Sequence, residues 1–573
     1  MKTYQFFSIL SFTSIAFADV TYNVVGYPDS ITESFGVLIE GKVTRLSTSN
    51  VTFPLWSTMI PMTTTSSSYK FVKLSDNGTI IHEESFLRAF QSSIPNSRSD
   101  NNDNKGVAST TTPNEFFERQ MTWSQLPNVP QVYEDVRPRA SAAFDETQIA
   151  TIHVNTDPVK FSAMVADPWG HTEPISADFR FINSHLVHNV MGISMKISGK
   201  SSRNFRKQSF TFIFDSMKNQ AFFERPSIKL CAEGYDPTMI REKLYIDILN
   251  SIGVRTQQSA WTRLYVNNKP YGFYLMVDEI DVSFLRETMH HGDSQPSTLG
   301  SFYQMASPKI DIQADLQYIG SSPADYPEEV YTNINLGSNP PDAPMTQLLR
   351  FMKDLEDYDS REPNGTVYWK NRLDLEGFLR NMALEFLGGS WDGYWWVGSN
   401  YFLYFNPTLA DSTSVDEGKW QWIPTDFDST FGNGRPTDVQ TTYQEYAPRL
   451  VKHDHPLVTK LILENNDINT RFEQMLLEIV RGVFNPAAIF PRIDMYEKMI
   501  AMDVEWDRSI DRSQVEGKDL QYTIKDFHDS IVTEVTGVNI GIKPWIEQRA
   551  KNIPNQVLTP LQDGSARNID VSM

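Results

Sequence analysis

The chain has 573 residues, of which 40% are hydrophobic and 12% aromatic, so it is globular rather than disordered and long enough for several cores. A formal charge of -20 excludes an exposed nucleic-acid-binding surface, because phosphate binding needs clustered Lys and Arg that would have to overcome this field. Cys231 is the only cysteine, so there is no intrachain disulfide framework and the core must carry the stability.

Residues 1–18 read as a secretory signal peptide: Lys2 supplies the positive n-region, Phe6 to Ala16 a short apolar run, and Ala16-Phe17-Ala18 an A-x-A cleavage pattern. Acceptor sequons at Asn50 (NVT), Asn77 (NGT) and Asn364 (NGT) fit a secreted glycoprotein. The polar end QDGSARNIDVSM lacks the hydrophobic tail of a lipid-anchor signal, and no stretch reads as a transmembrane segment. Residues 19–90 alternate in short runs, VTYNVV, FGVLIEG, KVTRLS, YKFVKL and TIIHEE, with SDNG as a hairpin turn before the last. That spacing predicts a small β-sandwich, with Trp56 and Tyr69 as core residues rather than binding aromatics.

Residues 91–149 read as a linker and connecting segment. The part at 92–113 is crowded with Ser, Asn, Asp and Thr, and FFERQMTWSQL after it predicts a short amphipathic helix. A larger domain is expected from ATIHVNT near residue 150. In it, VMGISMKISG and QSFTFIFD flank KSSRNFR, where Gly199 with Ser198, Ser201 and Ser202 forms a polar turn able to bring backbone N–H groups to an anion. Lys207 opens the next strand and is read either as a phosphate contact or as a solvated strand-edge residue. DPTMIREKLYIDILNSIG predicts a helix starting at Asp236-Pro237, with Ile240, Leu244 and Ile248 at helical spacing and Glu242 upon it. TRLYVNN, the NNKPYG turn and GFYLMVDEID predict a hairpin.

Strand, turn, strand with Lys, helix with Glu, then two strands and acidic residues 279 to 281 is the order of a protein-kinase N-lobe over 150–280. Residues 281–573 would be the C-lobe, with a polar insertion at about 291–345 and helical patterns in MTQLLRFMKDLEDY, LDLEGFLRNMALEFLGG and most of the chain after residue 456. Between them lies the densest chemistry, Trp391 to Gly432. Asp392, Asn400, Asp426 and Asp428 surround two apolar-aromatic runs, NYFLYF and KWQWIP, that read as buried strands. Carboxylates and an amide at the ends of adjacent strands suit a divalent metal and a transferred phosphoryl group. Cys231 reads as a small buried hydrophobe, and His290, His291, His453 and His455 show no ligand spacing and read as loop residues.

GKSSRNFRKQSFTFIFD, YDPTMIREKL, NNKPYGFYLMVDEID, and WDGYWWVGSNYFLYF followed by WIPTDFDSTFG resemble the CotH family of secreted kinase-like proteins of spore coats and fungal surfaces, over about 150 to 555. The N-terminal TFPLW and YKFVKL are similar to fungal members, some of them invasins. The resemblance implies an α+β chain: a β-sandwich followed by an atypical two-lobed kinase-like domain that uses ATP and Mg2+, or Mn2+, to phosphorylate Ser of secreted or coat proteins. It implies Asp392 as the catalytic residue that orients the acceptor hydroxyl. It implies Asp426, Asn400 and Asp428 as metal ligands, and Lys207, Glu242 and Gly199 as nucleotide-binding residues. Asn400 lies eight residues after Asp392, where conventional kinases use about five, and Asp428 stands where they have Gly. The alternative is a fungal cell-surface adhesin or invasin that binds a host-cell receptor and needs no catalysis.

Overall fold

A computed structural model describes residues 19–61, 68–90, 110–138, 140–171, 173–214, 221–290, 299–309, 311–410, 418–435, 438–446 and 455–558. The signal-like residues 1–18, most of 92–113, His291 and His453 lie outside them. The chain is mixed α and β and falls into two compact units. One is Met1–Trp123 with Phe181–Val187, the other Ser124–Arg180 with His188–Met573. The division comes at 123/124, ahead of the change in sequence pattern near 150. No helix among the described residues is long and apolar enough to cross a membrane.

The first unit holds strands β1 (Val20–Val25), β2 (Ser34–Ile39), β3 (Lys42–Arg45), β4 (Leu55–Ile60), β5 (Ser68–Leu74), β6 (Ile80–Glu83), β7 (Arg88–Ala89) and β8 (Thr111–Phe116). They form one sheet ordered β4-β1-β8 and another ordered β3-β2-β5-β6, with β7 on β5. Val24, Phe35, Trp56, Tyr69, Phe71 and Phe117 share one core, so Trp56 and Tyr69 do pack inside. The hairpin at SDNG joins β5 to β6, with Gly78 at a φ of 83°. The helix expected in FFERQMTWSQL does not form. Thr111 to Phe116 pairs parallel with β1 and Phe117 enters the core, so tertiary pairing overrides the amphipathic pattern.

The second unit begins with a closed barrel of β9 (Ala150–Thr156), β10 (Ile175–Ile182), β11 (Val187–Ser198), β12 (Ser209–Ile213), β13 (Ser227–Cys231), β14 (Ser259–Val266) and β15 (Lys269–Asp278). Its order is β10-β11-β12-β13-β15-β14-β9. The turn between β14 and β15 has Asn267 and Asn268 both at positive φ, 50° and 67°, as a tight hairpin requires. Every residue of β14 is buried, including Arg263, whose charge is met by Asp503. Two helices belong to this part: α1 (Pro158–Ala166), N-capped by Asp157, and α2 (Arg241–Ser251).

α2 starts five residues after Asp236 rather than at Asp236-Pro237. Asp236 is instead the organiser of the preceding turn: its fully buried carboxylate accepts from the backbone of Thr238, Ile240 and Arg241 and pairs with the Arg241 guanidinium at 2.5 Å. On the other side of α2, Lys243 meets Glu146 at 2.8 Å and Asp247 at 2.5 Å. Arg492 closes the group, 2.7 Å from Glu146 and 3.1 Å from Asp247. The helix is thereby fixed to both the connecting segment before the barrel and the long C-terminal helix Pro486–Ser509.

A second sheet, ordered β17-β16-β18-β19, is built from β16 (Phe302–Met305), β17 (Tyr331–Asn335), β18 (Tyr401–Asn406) and β19 (Lys419–Pro424). The polar segment expected as an insertion at 291–345 thus supplies two of its strands, and β16 pairs directly with β18. Helices Thr346–Asp357, Leu375–Gly388, Asn466–Gly482, Pro486–Ser509 and Ile542–Leu558 form at the segments with helical periodicity. Gly389 ends the second of these at a φ of 64°, and a Cβ there would lie 2.3 Å from the Trp545 ring, so only glycine fits.

Removing the Asp236 carboxylate leaves Arg241 buried and unpaired and three backbone N–H groups without their acceptor. Asp236→Ala is expected to cost about 3–5 kcal/mol in urea unfolding. A loss below about 1 kcal/mol would show that the turn before α2 is held by something else.

Candidate functional site

A concentration of carboxylates lies where β13, α2 and the β18–β19 hairpin meet. β18 and β19 are antiparallel with Tyr401 opposite Pro424, so Asn400 and Thr425 are adjacent at the open end, where Thr425 N–H donates to Asn400 C=O at 3.0 Å. The register is locked by Tyr401 and Trp422, whose rings stack at 3.9 Å and 7°. Asn400 Nδ2 donates to Asp392 Oδ2 at 2.8 Å and to its backbone oxygen at 2.9 Å, which leaves Oδ1 as the Asn400 atom for a cation. The eight-residue separation therefore closes into a direct contact. The extra residues are the short helix Tyr394–Val397, whose N–H groups at Tyr394 and Trp395 are received by the buried Glu385 carboxylate.

Asp426 and Asp428 follow β19 with Phe427 between them. Phe427 stacks on Tyr245 of α2 at 4.6 Å, one turn from Glu242, and so ties the acidic loop to the helix. Phe431 N–H donates to Gly388 C=O at 2.7 Å, and Asn433 Nδ2 to Asp428 C=O at 2.8 Å. Asn400, Asp426 and Glu233 all hold left-handed backbone, at φ of 58°, 62° and 53°. Non-glycine residues in that region gather at sites where a side chain must be aimed.

The carboxylates feel one another. Burial first, then Asp426, raises Asp392 to about 7, against the Asn400 hydrogen bond and Arg435. Burial, Asp426 and Glu242 push Asp428 well above the usual carboxylate range. Burial and Asp426 bring Glu242 up to about 7, while Glu233, hydrogen-bonded to it, is also pushed up by burial. The cation among them is Lys229 of β13. Cys231, Asp426, Glu279 and Glu242 hold its ammonium above its ordinary pKa, in opposition to burial.

Of the residues singled out from the sequence, Asp392, Asn400, Asp426, Asp428 and Glu242 are brought into this one electrostatic group. Glu242 is 3% exposed, not a surface residue. Gly199, at a φ of 82°, opens the turn Ser201–Asn204, and Ser201 hydrogen-bonds Tyr235, which itself feels Asp428 and Asp392. A Cβ on Gly199 would fall 1.9 Å from Ser202 Oγ.

Lys207 is not brought to the acids. It is buried 3.1 Å from Asp507 Oδ1, donates to the Phe273 carbonyl and lies over the Tyr274 ring at 4.8 Å. Burial lowers its ammonium to about 7; Asp507 is held at about 2 despite burial, by Lys207, Arg512 and Arg508. Neither reading of Lys207, phosphate contact or solvated strand edge, matches this engaged and enclosed position. The missed cation, Lys229, had a signal in SIKLC: a lone lysine in an apolar strand directly before the glutamate-bearing helix. His290 and His455 are loop residues, and both are buried. His290 Nε2 is 2.7 Å from Tyr404 O–H, and His455 bridges Trp395 C=O and Gln313 at 3.0 and 2.9 Å.

The donor set suits a hard divalent cation. Asp426, Asp428, Asp392 and Asn400 Oδ1 offer oxygen only, and their mutual repulsion is what such an ion relieves.

A family model described as CotH kinase protein matches residues 195–553, more than half the chain and all the site residues above. Over 561 residues the chain is 28% identical to Invasin CotH3 of Rhizopus delemar, covering 94% of this chain and 84% of that one. Invasin CotH2 of the same fungus is 27% identical over 474 residues, 80% of this chain and 71% of its own. Inner spore coat protein H of Bacillus subtilis is 22% identical over 328 residues, 56% of this chain and 81% of its own.

The raised carboxyl groups fix the sign of a pH effect. The folded chain holds these protons more tightly than the unfolded chain, so their contribution is neutral below about pH 4, falls as pH rises towards 7 and then levels. A divalent cation that takes the ionised carboxylates is expected to raise Tm more at pH 8 than at pH 5, since at roughly 100 times Kd binding stabilises the folded chain by about 2.7 kcal/mol. Thermal unfolding with Mg2+ or Mn2+ checks this; an equal shift at both pH values, or the same shift in Asp428→Asn, would remove the site.

Proposed function

The chain belongs to the CotH family, and on that premise we propose that it is a secreted or cell-surface phosphotransferase that uses ATP with Mg2+ or Mn2+ to phosphorylate Ser of secreted or coat proteins. The observation that carries this reading is the convergence of Lys229 and Glu242 with Asp392, Asn400, Asp426 and Asp428. A strand lysine beside a helix glutamate, facing a metal-type acid pair and an asparagine-bound aspartate, is the set that phosphoryl transfer requires. In this reading the barrel with α2 is the N-lobe, the four-stranded sheet with the C-terminal helices the C-lobe, and the first unit a β-sandwich.

Each side chain has a defined task. Asp426, Asp428 and Asn400 Oδ1 would hold the divalent ion, whose charge offsets that of the nucleotide phosphates. Lys229 adds a fixed positive charge, and Glu242 keeps it in place on the strand face. The Gly199 turn offers backbone N–H groups to phosphate oxygens. Asp392, oriented by Asn400, accepts the hydrogen bond of the Ser hydroxyl and takes up its proton, and its elevated pKa of about 7 suits that exchange.

A second reading rests on the relatives named invasins: adhesion to a host-cell surface receptor through the first unit or the segment 92–113, independent of catalysis. Secretion to the cell surface or spore coat serves both readings.

Purified protein incubated with labelled ATP, Mn2+ or Mg2+ and Ser-containing secreted proteins is expected to transfer label, and Asp392→Asn to lower the rate by roughly a hundredfold or more. Label no greater than that of an Asp426→Ala control would overturn the phosphotransferase reading. Binding to host cells that survives Asp426→Ala and is lost on deleting 92–109 would establish the adhesive one.

A further inference from the structure

Cys231, Glu233 and Glu242 converge on a point beside the phosphotransfer set, with which they share Glu242 alone. Cys231 ends β13, Glu233 follows two residues later with its backbone turned to a φ of 53°, and Glu242 comes from the first turn of α2. One sulfur and two carboxylate oxygens lie within 4.8 Å of one another, and the three residues are 8%, 5% and 3% exposed. Glu233 Oε2 is enclosed and has no hydrogen-bond partner. An enclosed carboxylate oxygen without a donor is unfavourable, so it calls for a group that the protein itself does not supply.

The donor chemistry distinguishes this point from the oxygen-only set of Asp392, Asn400, Asp426 and Asp428. Mg2+ and Ca2+ select oxygen ligands, whereas Zn2+ and Co2+ accept a thiolate alongside carboxylates. We propose that Cys231, Glu233 and Glu242 form a second cation site, one for a thiophilic divalent ion of the zinc or cobalt type. Three protein ligands leave a fourth tetrahedral position for water, and small side-chain rotations close the 4.8 Å spread to bonding distances. Binding releases the Cys231 thiol proton and the proton shared by Glu233 and Glu242 to solvent. Burial pushes the Cys231 thiol well above its ordinary pKa, and Lys229, two residues before it, only partly offsets that, so the ion must displace the thiol proton. Because Glu242 is drawn to the ion, occupancy takes it from Lys229, so a soft cation acts against the oxygen-ligand site next to it.

The single cysteine makes the test unambiguous: any thiolate-to-metal band must come from Cys231. Titration of the full chain with Co2+ is expected to give a near-ultraviolet thiolate-to-cobalt charge-transfer band that saturates at one equivalent. The band should persist in Asp426→Ala. In Glu233→Gln, which keeps both shape and sulfur, cobalt affinity should fall at least tenfold, and in Cys231→Ser the band should vanish while circular dichroism stays native. No charge-transfer band in the wild type, or an unchanged cobalt affinity in Glu233→Gln, would overturn the proposal.

Discussion

Like charges gathered out of water repel one another, and the second unit is built around holding them in place. Asp392, Asp428, Glu233 and Glu242 are raised together by burial and by neighbouring carboxylates, with Lys229 as the cation in their midst. Such a group persists only where the backbone beneath it cannot relax. The anchoring is correspondingly heavy. Asp236 and Arg241 fix the start of α2, Lys243, Asp247, Glu146 and Arg492 fix its flank, and the Phe427–Tyr245 stack joins it to the acidic loop. Buried ion pairs of this kind contribute little net stability but strongly define a single arrangement.

The same arrangement divides labour between elements. The β18–β19 register sets Asn400 beside the residues leading to Asp426, and the Asn400–Asp392 hydrogen bonds carry that order to the Asp392 carboxylate. β13 brings Lys229 and Cys231 in from the barrel, and α2 brings Glu242. Both Lys229 and Cys231 lie on one short strand and both reach Glu242, so the hard-oxygen and thiol-containing groups share a carboxylate. The proposed phosphotransfer set and the proposed thiophilic-cation site therefore meet at that single side chain.

Much of this was legible in the sequence where a residue's partner is near in the chain. The strands NYFLYF and KWQWIP, the Asn-Asn hairpin and the long helices declare themselves by period and turn chemistry, and Asp392, Asn400, Asp426 and Asp428 stand out as acids and an amide at strand ends. What failed was long-range. Lys207 looked like the phosphate lysine because it follows a Gly/Ser turn, but its partner, Asp507, is 300 residues away and invisible to local pattern. FFERQMTWSQL has helical amphipathicity, yet pairing of β8 with β1 decides its neighbourhood. The segment at 291–345 is rich in Pro, Gly and Ser around two strands of only 4 and 5 residues, Phe302–Met305 and Tyr331–Asn335, too short to stand out by period, which hid their place in the sheet. Membership of the CotH family rested on several blocks spread over the chain, and for that reason it survived these local errors.

The central claim is that Lys229, not Lys207, is the phosphate-facing cation of a metal-dependent nucleotide site. Calorimetric titration of the wild type and of Lys229→Met with ATP in Mg2+ tests it most directly. The account predicts Mg2+-dependent binding by the wild type and an affinity at least about tenfold weaker in Lys229→Met with native circular dichroism, a difference of about 1.4 kcal/mol or more. Equal ATP affinity in the two proteins would contradict it.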